Sequence, residues 1–200
     1  MFCLAASHRI SHRVASSQGV AFLSEVGAVR DSVYDAKAAV RYAVRHAAEL
    51  GIDPHRIAVT GGSAGAIISA SLPFVEEGDS GNPGFPSNVS AAISISGTIW
   101  PFLLKAADSS IAGATVPPYF DVHGDEDNRV YPFLGQMTFN YLHALGVTAS
   151  RNQLAIVRGG GHVPWGDSPE VNAMARDVLR PHLVGFLAEH LRLHAGQIAC

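Results

Sequence analysis

The sequence predicts an α/β fold, a mostly parallel sheet flanked by helices on both faces, and three observations carry that prediction. Helix-periodic segments alternate with short apolar runs along the whole chain, the pattern of repeated strand–helix–strand units. The loops after three of those runs, at 61–65, 123–127 and 159–162, are rich in glycine or acids, as expected where parallel strands present ligand-binding loops at their carboxyl ends. A chain of 200 residues, 48% hydrophobic and 16% charged, suits one globular domain with a substantial core.

The elements follow in order. The first 24 residues hold no acid, several serines, Arg9 and Arg13, a composition that faintly resembles an organelle transit segment and fits a ragged fragment end equally well. Residues 1–24 are therefore expected to be a disordered or non-native stretch of a single domain spanning 1–200, with Val20-Ala21-Phe22-Leu23 as one short strand. Phe2-Cys3-Leu4-Ala5-Ala6 is too short for the apolar centre of a secretory signal. Val33, Ala36, Val40, Ala43, Val44, Ala47 and Leu50 keep helical spacing, and Gly51 ends that helix. Arg56–Thr60 reads as a strand and Ala64–Leu72 as a small-residue helix stopped by Pro73. Residues 76–87, rich in Gly, Pro, Asn and Ser, read as an exposed connection. Ala91–Ser96, Pro118–Val122 and Leu154–Val157 read as strands, Tyr131–Leu145 as a helix, and Val171–Leu193 as a helix interrupted near Pro181.

Composition narrows the function classes. A net charge of −3 with scattered basic residues lacks the electrostatic footprint of a nucleic-acid binder. Cys3 and Cys200 stand at opposite ends and show neither a disulfide framework nor metal-ligand spacing. His190 and His194 share a helical face without an acid motif or third ligand, so a metal is not expected, and no cofactor motif is present. No run approaches the ~18 apolar residues of a membrane helix. The expectation is a soluble protein, cytoplasmic by default, acting on a small molecule.

Ser63 is the most informative residue. Gly61-Gly62-Ser63-Ala64-Gly65 joins a predicted strand to a predicted helix, where a nucleophile elbow belongs. Gly61 and Gly65 let strand and helix pack closely around the bend, and the first amides of the helix, Ala64 N–H foremost, point toward charge developing beside Ser63. A serine hydroxyl needs a base to remove its proton and an acid to return it. His162, after Gly159-Gly160-Gly161, is the candidate, because imidazole titrates near neutrality and a carboxylate on its other nitrogen fixes the tautomer. The carboxylate comes from the turn His123-Gly124-Asp125-Glu126-Asp127, in which spacing alone does not choose among the three acids. His123, at a strand end, is expected to make backbone hydrogen bonds rather than act as the base. Trp100, Phe102 and Trp165 follow strand ends and are candidates for an apolar substrate pocket, with core packing the competing role.

From Asp35 onward the chain resembles the esterase and lipase branch of the α/β-hydrolases, notably feruloyl-esterase-like and carboxylesterase-like enzymes. The resemblance rests on Asp35–Tyr42, Gly51-Ile52-Asp53-Pro54-His55-Arg56-Ile57, Gly61–Ala66, Val116-Pro117-Pro118, His123–Asp127 and Gly161-His162, in the family's order. It implies the α/β-hydrolase fold and a triad running Ser63, Asp127, His162. The acid falls on Asp127, three residues after the glycine of His-Gly, leaving Asp125 as a turn or capping residue and Glu126 as a solvated side chain. It also implies a His-Gly-Gly oxyanion loop upstream of the serine, which this sequence does not show, so the fold is expected to be truncated at its amino-terminal side and activity to be impaired. The implied reaction is hydrolysis of carboxylic esters through an acyl-enzyme. A prolyl-oligopeptidase-like peptidase shares the triad order, but its extra domain has no room here. A catalytically silent remnant of the fold is the third alternative.

Overall fold

A computed structural model describes residues 2–5, 18–75, 81–99, 113, 115–162, 164 and 168–193. Five strands, β1 (Phe2–Ala5), β2 (Ile57–Gly62), β3 (Ala91–Ile95), β4 (Tyr119–Gly124) and β5 (Asn152–Val157), form one sheet in sequential order. Every neighbouring pair is parallel. The predicted α/β class therefore holds. Parallel neighbours require crossovers, and crossovers of a single hand between sequential strands place their helices on one face. That face carries α1 (Gln18–Arg45), α3 (Ala64–Ser71) and α4 (Pro132–Ala144), with the four-residue α2 (Ala47–Leu50) between α1 and β2. The other face is covered by the C-terminal segment, α5 (Pro169–Met174), a π turn (Ala175–Leu179) and α6 (Arg180–His190).

Two core layers follow from the period of two along each strand. Val59, Ala92 and Tyr119 join Val33 and Val40 of α1, Ile68 of α3 and Leu142 of α4. Their chain neighbours Ala58, Ile93 and Phe120 face the other way, against Val171, Leu179 and Phe186. Phe120 and Phe186 meet edge to face with ring centroids 5.3 Å apart, a geometry that adds about 0.5–1.5 kcal/mol beyond area burial.

Several boundaries differ from the sequence reading, each for a physical reason. Val20–Leu23 lies within α1 rather than in a strand; a four-residue apolar run does not distinguish strand from helix by periodicity. The strand beside β2 is instead Phe2–Ala5, with Ala5 paired to Thr60. Leu50 is 42% exposed; the long helix breaks at His46, and the short α2 that follows is capped by Gly51 at φ 65°. Pro73 falls inside a 3₁₀ turn (Leu72–Phe74) that continues α3. The interruption expected near Pro181 appears as the π turn just before it: proline offers no N–H to the preceding turn, and its ring crowds the carbonyl four residues back.

Candidate active site

The site forms at the carboxyl ends of β2, β4 and β5. Ser63 sits between β2 and α3 with φ 56° and ψ −121°, a conformation that side-chain-bearing residues rarely adopt. Its N–H donates to Ile95 O at the end of β3 (2.9 Å), and its carbonyl accepts from Ala66 and Ile67. The bend requires glycine at 61, since a Cβ there would lie 2.3 Å from the backbone of Gly65. Ala64 opens α3, so its N–H belongs to the first turn, whose amides have no partner within the helix.

The structure brings together the three residues singled out from sequence. His162 Nε2 lies 2.8 Å from Ser63 Oγ, and His162 Nδ1 lies 2.8 Å from Asp127 Oδ2. A carboxylate oxygen only accepts, so Nδ1 carries the proton and Nε2 offers its lone pair to the serine O–H. The Asp127 side chain is fully buried, and that of His162 is 14% exposed. Oδ1 of Asp127 accepts from Arg129 N at 2.9 Å and Val130 N at 3.1 Å. Burial alone would raise the Asp127 pKa; the bond from His162 and the amides of Arg129 and Val130 outweigh it and hold the carboxyl below its ordinary value.

A depressed folded-state pKa stabilises the fold above the unfolded value and loses that contribution as pH falls through the folded one. The melting temperature is therefore expected to drop below about pH 4. Asp127→Asn, which has no proton to gain there, should lose less over the same interval, as thermal unfolding across an acid pH series would measure.

The acid turn and the histidine loop are stitched together. Asp125 N donates to Val157 O (3.1 Å), Glu126 N to Gly160 O (2.9 Å), and Gly159 N to Asp125 Oδ1 (2.7 Å). Asp125 is thus a turn residue, as expected, and it also clamps the neighbouring loop, which the sequence did not reveal. Glu126 is exposed. The glycines before His162 serve close approach more than freedom of movement: a Cβ on Gly160 would meet Pro164 at 2.6 Å, and only Gly159 has a positive φ (68°).

His123 makes the backbone bond expected of it, its Nε2 lying 2.7 Å from Val130 O. It also meets Asp121, which sequence reasoning passed over, with Nδ1 3.2 Å from Oδ2. The signal was available: Asp121 and His123 stand two apart on β4 and share a face. His190, once considered as a metal ligand, lies 3.1 Å from the Ser150 carbonyl through Nε2. Trp100, Phe102, Trp165, His194 and Cys200 lie outside the described residues.

The family model BD-FAE matches residues 23–98, the stretch from α1 through the elbow to just past β3. A thermophilic esterase, Est2 of the planctomycete Thermogutta terrifontis, is 25% identical with a TM-score of 0.63, over 86% of this chain and 68% of that one. The chain has the α/β-hydrolase fold and resembles the esterase branch of that fold. The same Thermogutta esterase phosphoramylated by tabun is 28% identical with a TM-score of 0.56, over 80% of this chain and 67% of the other. A truncated carbohydrate esterase from gut microbiota, at 22% identity and a TM-score of 0.58 over 80% and 68% of the two chains, shares the fold. The chain spans about two thirds of the length of each of these structures. No curated protein matches the chain. Among the described residues, no helix is long and apolar enough to cross a membrane.

Proposed function

We propose that the chain hydrolyses carboxylic esters of small molecules, with Ser63 as nucleophile, His162 as proton shuttle, Asp127 as orienting acid and Ala64 N–H as an oxyanion donor. One observation carries this reading: two 2.8 Å contacts join Ser63, His162 and Asp127 in series, within the ≈ 2.6–3.2 Å that proton transfer requires. Ser63 Oγ attacks the carbonyl carbon while its proton passes to His162 Nε2, and the new C–O bond gives a tetrahedral oxyanion. The imidazolium then protonates the departing alkoxide as its bond to carbon breaks, leaving an acyl-serine. Water repeats the sequence, with the carboxylic acid released and the proton returned to Ser63. Asp127 keeps the imidazole in the tautomer that presents Nε2, and its buried charge favours the imidazolium formed at each step. The Thermogutta esterase, whose forms include one phosphorylated by paraoxon, supports the same class of chemistry here.

A fluorophosphonate probe is expected to add its mass to the peptide bearing Ser63, with no labelling of Ser63→Ala. The unlabelled wild-type chain would leave a catalytically silent fold. Turnover of p-nitrophenyl acetate without cleavage of peptide anilides is expected for an esterase; the opposite preference would favour the peptidase alternative.

A further inference from the structure

Beside Asp127 a second acid–imidazole pair is buried. The side chains of Asp121 and His123 are both 0% exposed and lie 3.2 Å apart through Oδ2 and Nδ1. The other ring nitrogen of His123, Nε2, lies 2.7 Å from the carbonyl of Val130 and 3.4 Å from Asp127 Oδ2. Both neighbours of Nε2 are acceptors, so Nε2 must carry a proton. Nδ1 faces a carboxyl oxygen, and a contact between two lone pairs would be repulsive, so a second proton lies between Nδ1 and Asp121. The pair therefore holds two protons among three heavy atoms and is neutral overall, whether written as carboxylic acid with imidazole or as carboxylate with imidazolium. A neutral pair is the form that a dry site tolerates. Gly135 of α4 closes it from above: a Cβ there would lie 2.6 Å from Asp121 Oδ2 and 2.9 Å from His123 Nδ1, so the helix backbone rests directly on the pair.

We infer that His123 is a positioning residue for the acid of the triad: its Nε2–H fixes the Val130 carbonyl and faces Asp127 Oδ2, holding the turn whose amides orient that carboxylate toward His162. The inference rests on the proposed roles of Ser63, His162 and Asp127. The geometry converges on one carboxylate. Val130 N donates to Asp127 Oδ1, so the residue that His123 grips by its carbonyl is the one that grips the acid by its amide. The oxygen of Asp127 within 3.4 Å of His123 is the same oxygen that receives His162. Asp121 acts at one remove, supplying the partner at Nδ1 that commits the ring to donating from Nε2, the relation by which a ring's second bond fixes its tautomer. The groups facing His123 agree: burial raises the Asp121 pKa, and the bonds to Asp121 and Val130 raise that of His123 against the opposing effect of burial, as a retained shared proton requires. Tyr119, two residues before Asp121 on the same face of β4, has its pKa raised first by burial and next by Asp121, so it stays neutral beside the pair.

The test compares His123→Ala with His123→Gln, whose amide nitrogen can still donate toward Val130 O. His123→Ala is expected to lower kcat by roughly 10–100-fold, the scale seen when a group that orients a functional ligand is removed, with KM for p-nitrophenyl acetate changed by less than about 2-fold, because the His123 side chain is fully buried, out of reach of a bound substrate. His123→Gln should recover most of kcat. Proton NMR should lose the downfield Nδ1–H signal of His162 in the first variant and keep it in the second. Wild-type kcat and an intact signal in His123→Ala would overturn the inference. Should His123→Ala fail to fold, nitrogen NMR on the wild-type chain still decides: His123 Nε2, assigned through its disappearance in His123→Gln, is expected to bear a proton from about pH 5 to pH 9, and a bare Nε2 overturns the idea. A wild-type chain that neither turns over ester nor takes the probe would instead sink the proposed triad, while the NMR measurements would still judge His123.

Discussion

Replacing Ser63 with glycine is expected to abolish ester hydrolysis while making the protein more stable. The loss of activity should be on the order of 10⁵-fold or more, the scale found when the nucleophile of a serine triad is removed. The gain in stability has a separate origin. At φ 56° and ψ −121° the Ser63 Cβ crowds its own backbone, and such strained residues cost about 1–3 kcal/mol each. Glycine occupies that region without penalty. Against this stand the greater chain entropy of an unfolded glycine, up to about 1 kcal/mol, and the lost bond from Ser63 Oγ to His162, about 1 kcal/mol or less at a part-buried site. The net expectation is a rise of up to about 1 kcal/mol, or about 2–4 °C in melting temperature for a chain of this size. Ser63→Ala, which keeps the Cβ, should lose activity equally and gain no stability. Calorimetry of the three proteins beside p-nitrophenyl acetate turnover would separate the two effects. Equal melting temperatures for the glycine and alanine variants would mean that the surrounding contacts relax the bend without strain.

That result would bear on why the site was legible in the sequence at all. A bend of this kind leaves a local mark, since glycine at 61 answers to a backbone 2.3 Å away and the elbow joins a strand to a helix within five residues. Chain order then pointed to His162 and to the acid turn, because each follows a strand end and parallel strands bring those ends to one edge. What remained hidden depends on pairing between distant segments. β1 is four residues long, and its strand character comes from its pairing with β2 more than fifty residues later, so Phe2–Ala5 carries too little pattern to be told from an irregular start. The clamp from Asp125 to Gly159 N spans 34 positions. Likewise, the glycines at 159–161 read as freedom for the loop when taken alone. Their reason appears only once β4 and β5 lie side by side, with the loop backbone pressed against Gly124.

That contact supports the last prediction, Gly124→Ala, which should damage both stability and activity. A Cβ at position 124 would lie 2.1 Å from Gly160 O and 2.4 Å from Gly161 O. Both atoms belong to backbone, so no side chain can rotate away and the two strand ends must part. Gly124 and Val157 are register partners at the end of the ladder, and the bonds from Asp125 N to Val157 O and from Glu126 N to Gly160 O begin immediately beyond. Overpacking of this kind costs typically 1–3 kcal/mol, and the strained hydrogen bonds next to it place the expected loss at the upper end, about 3 kcal/mol. The movement also separates Asp127 from His162, because one rides on the turn after β4 and the other on the loop after β5. A displacement of about 1 Å in a catalytic constellation costs on the order of 10²-fold in rate. Urea unfolding and kcat measured on the same preparation would test both halves. Wild-type values for both would show that the acid turn and the histidine loop do not depend on their backbone contact, and the triad's alignment would then have to be held from the Ser63 side alone.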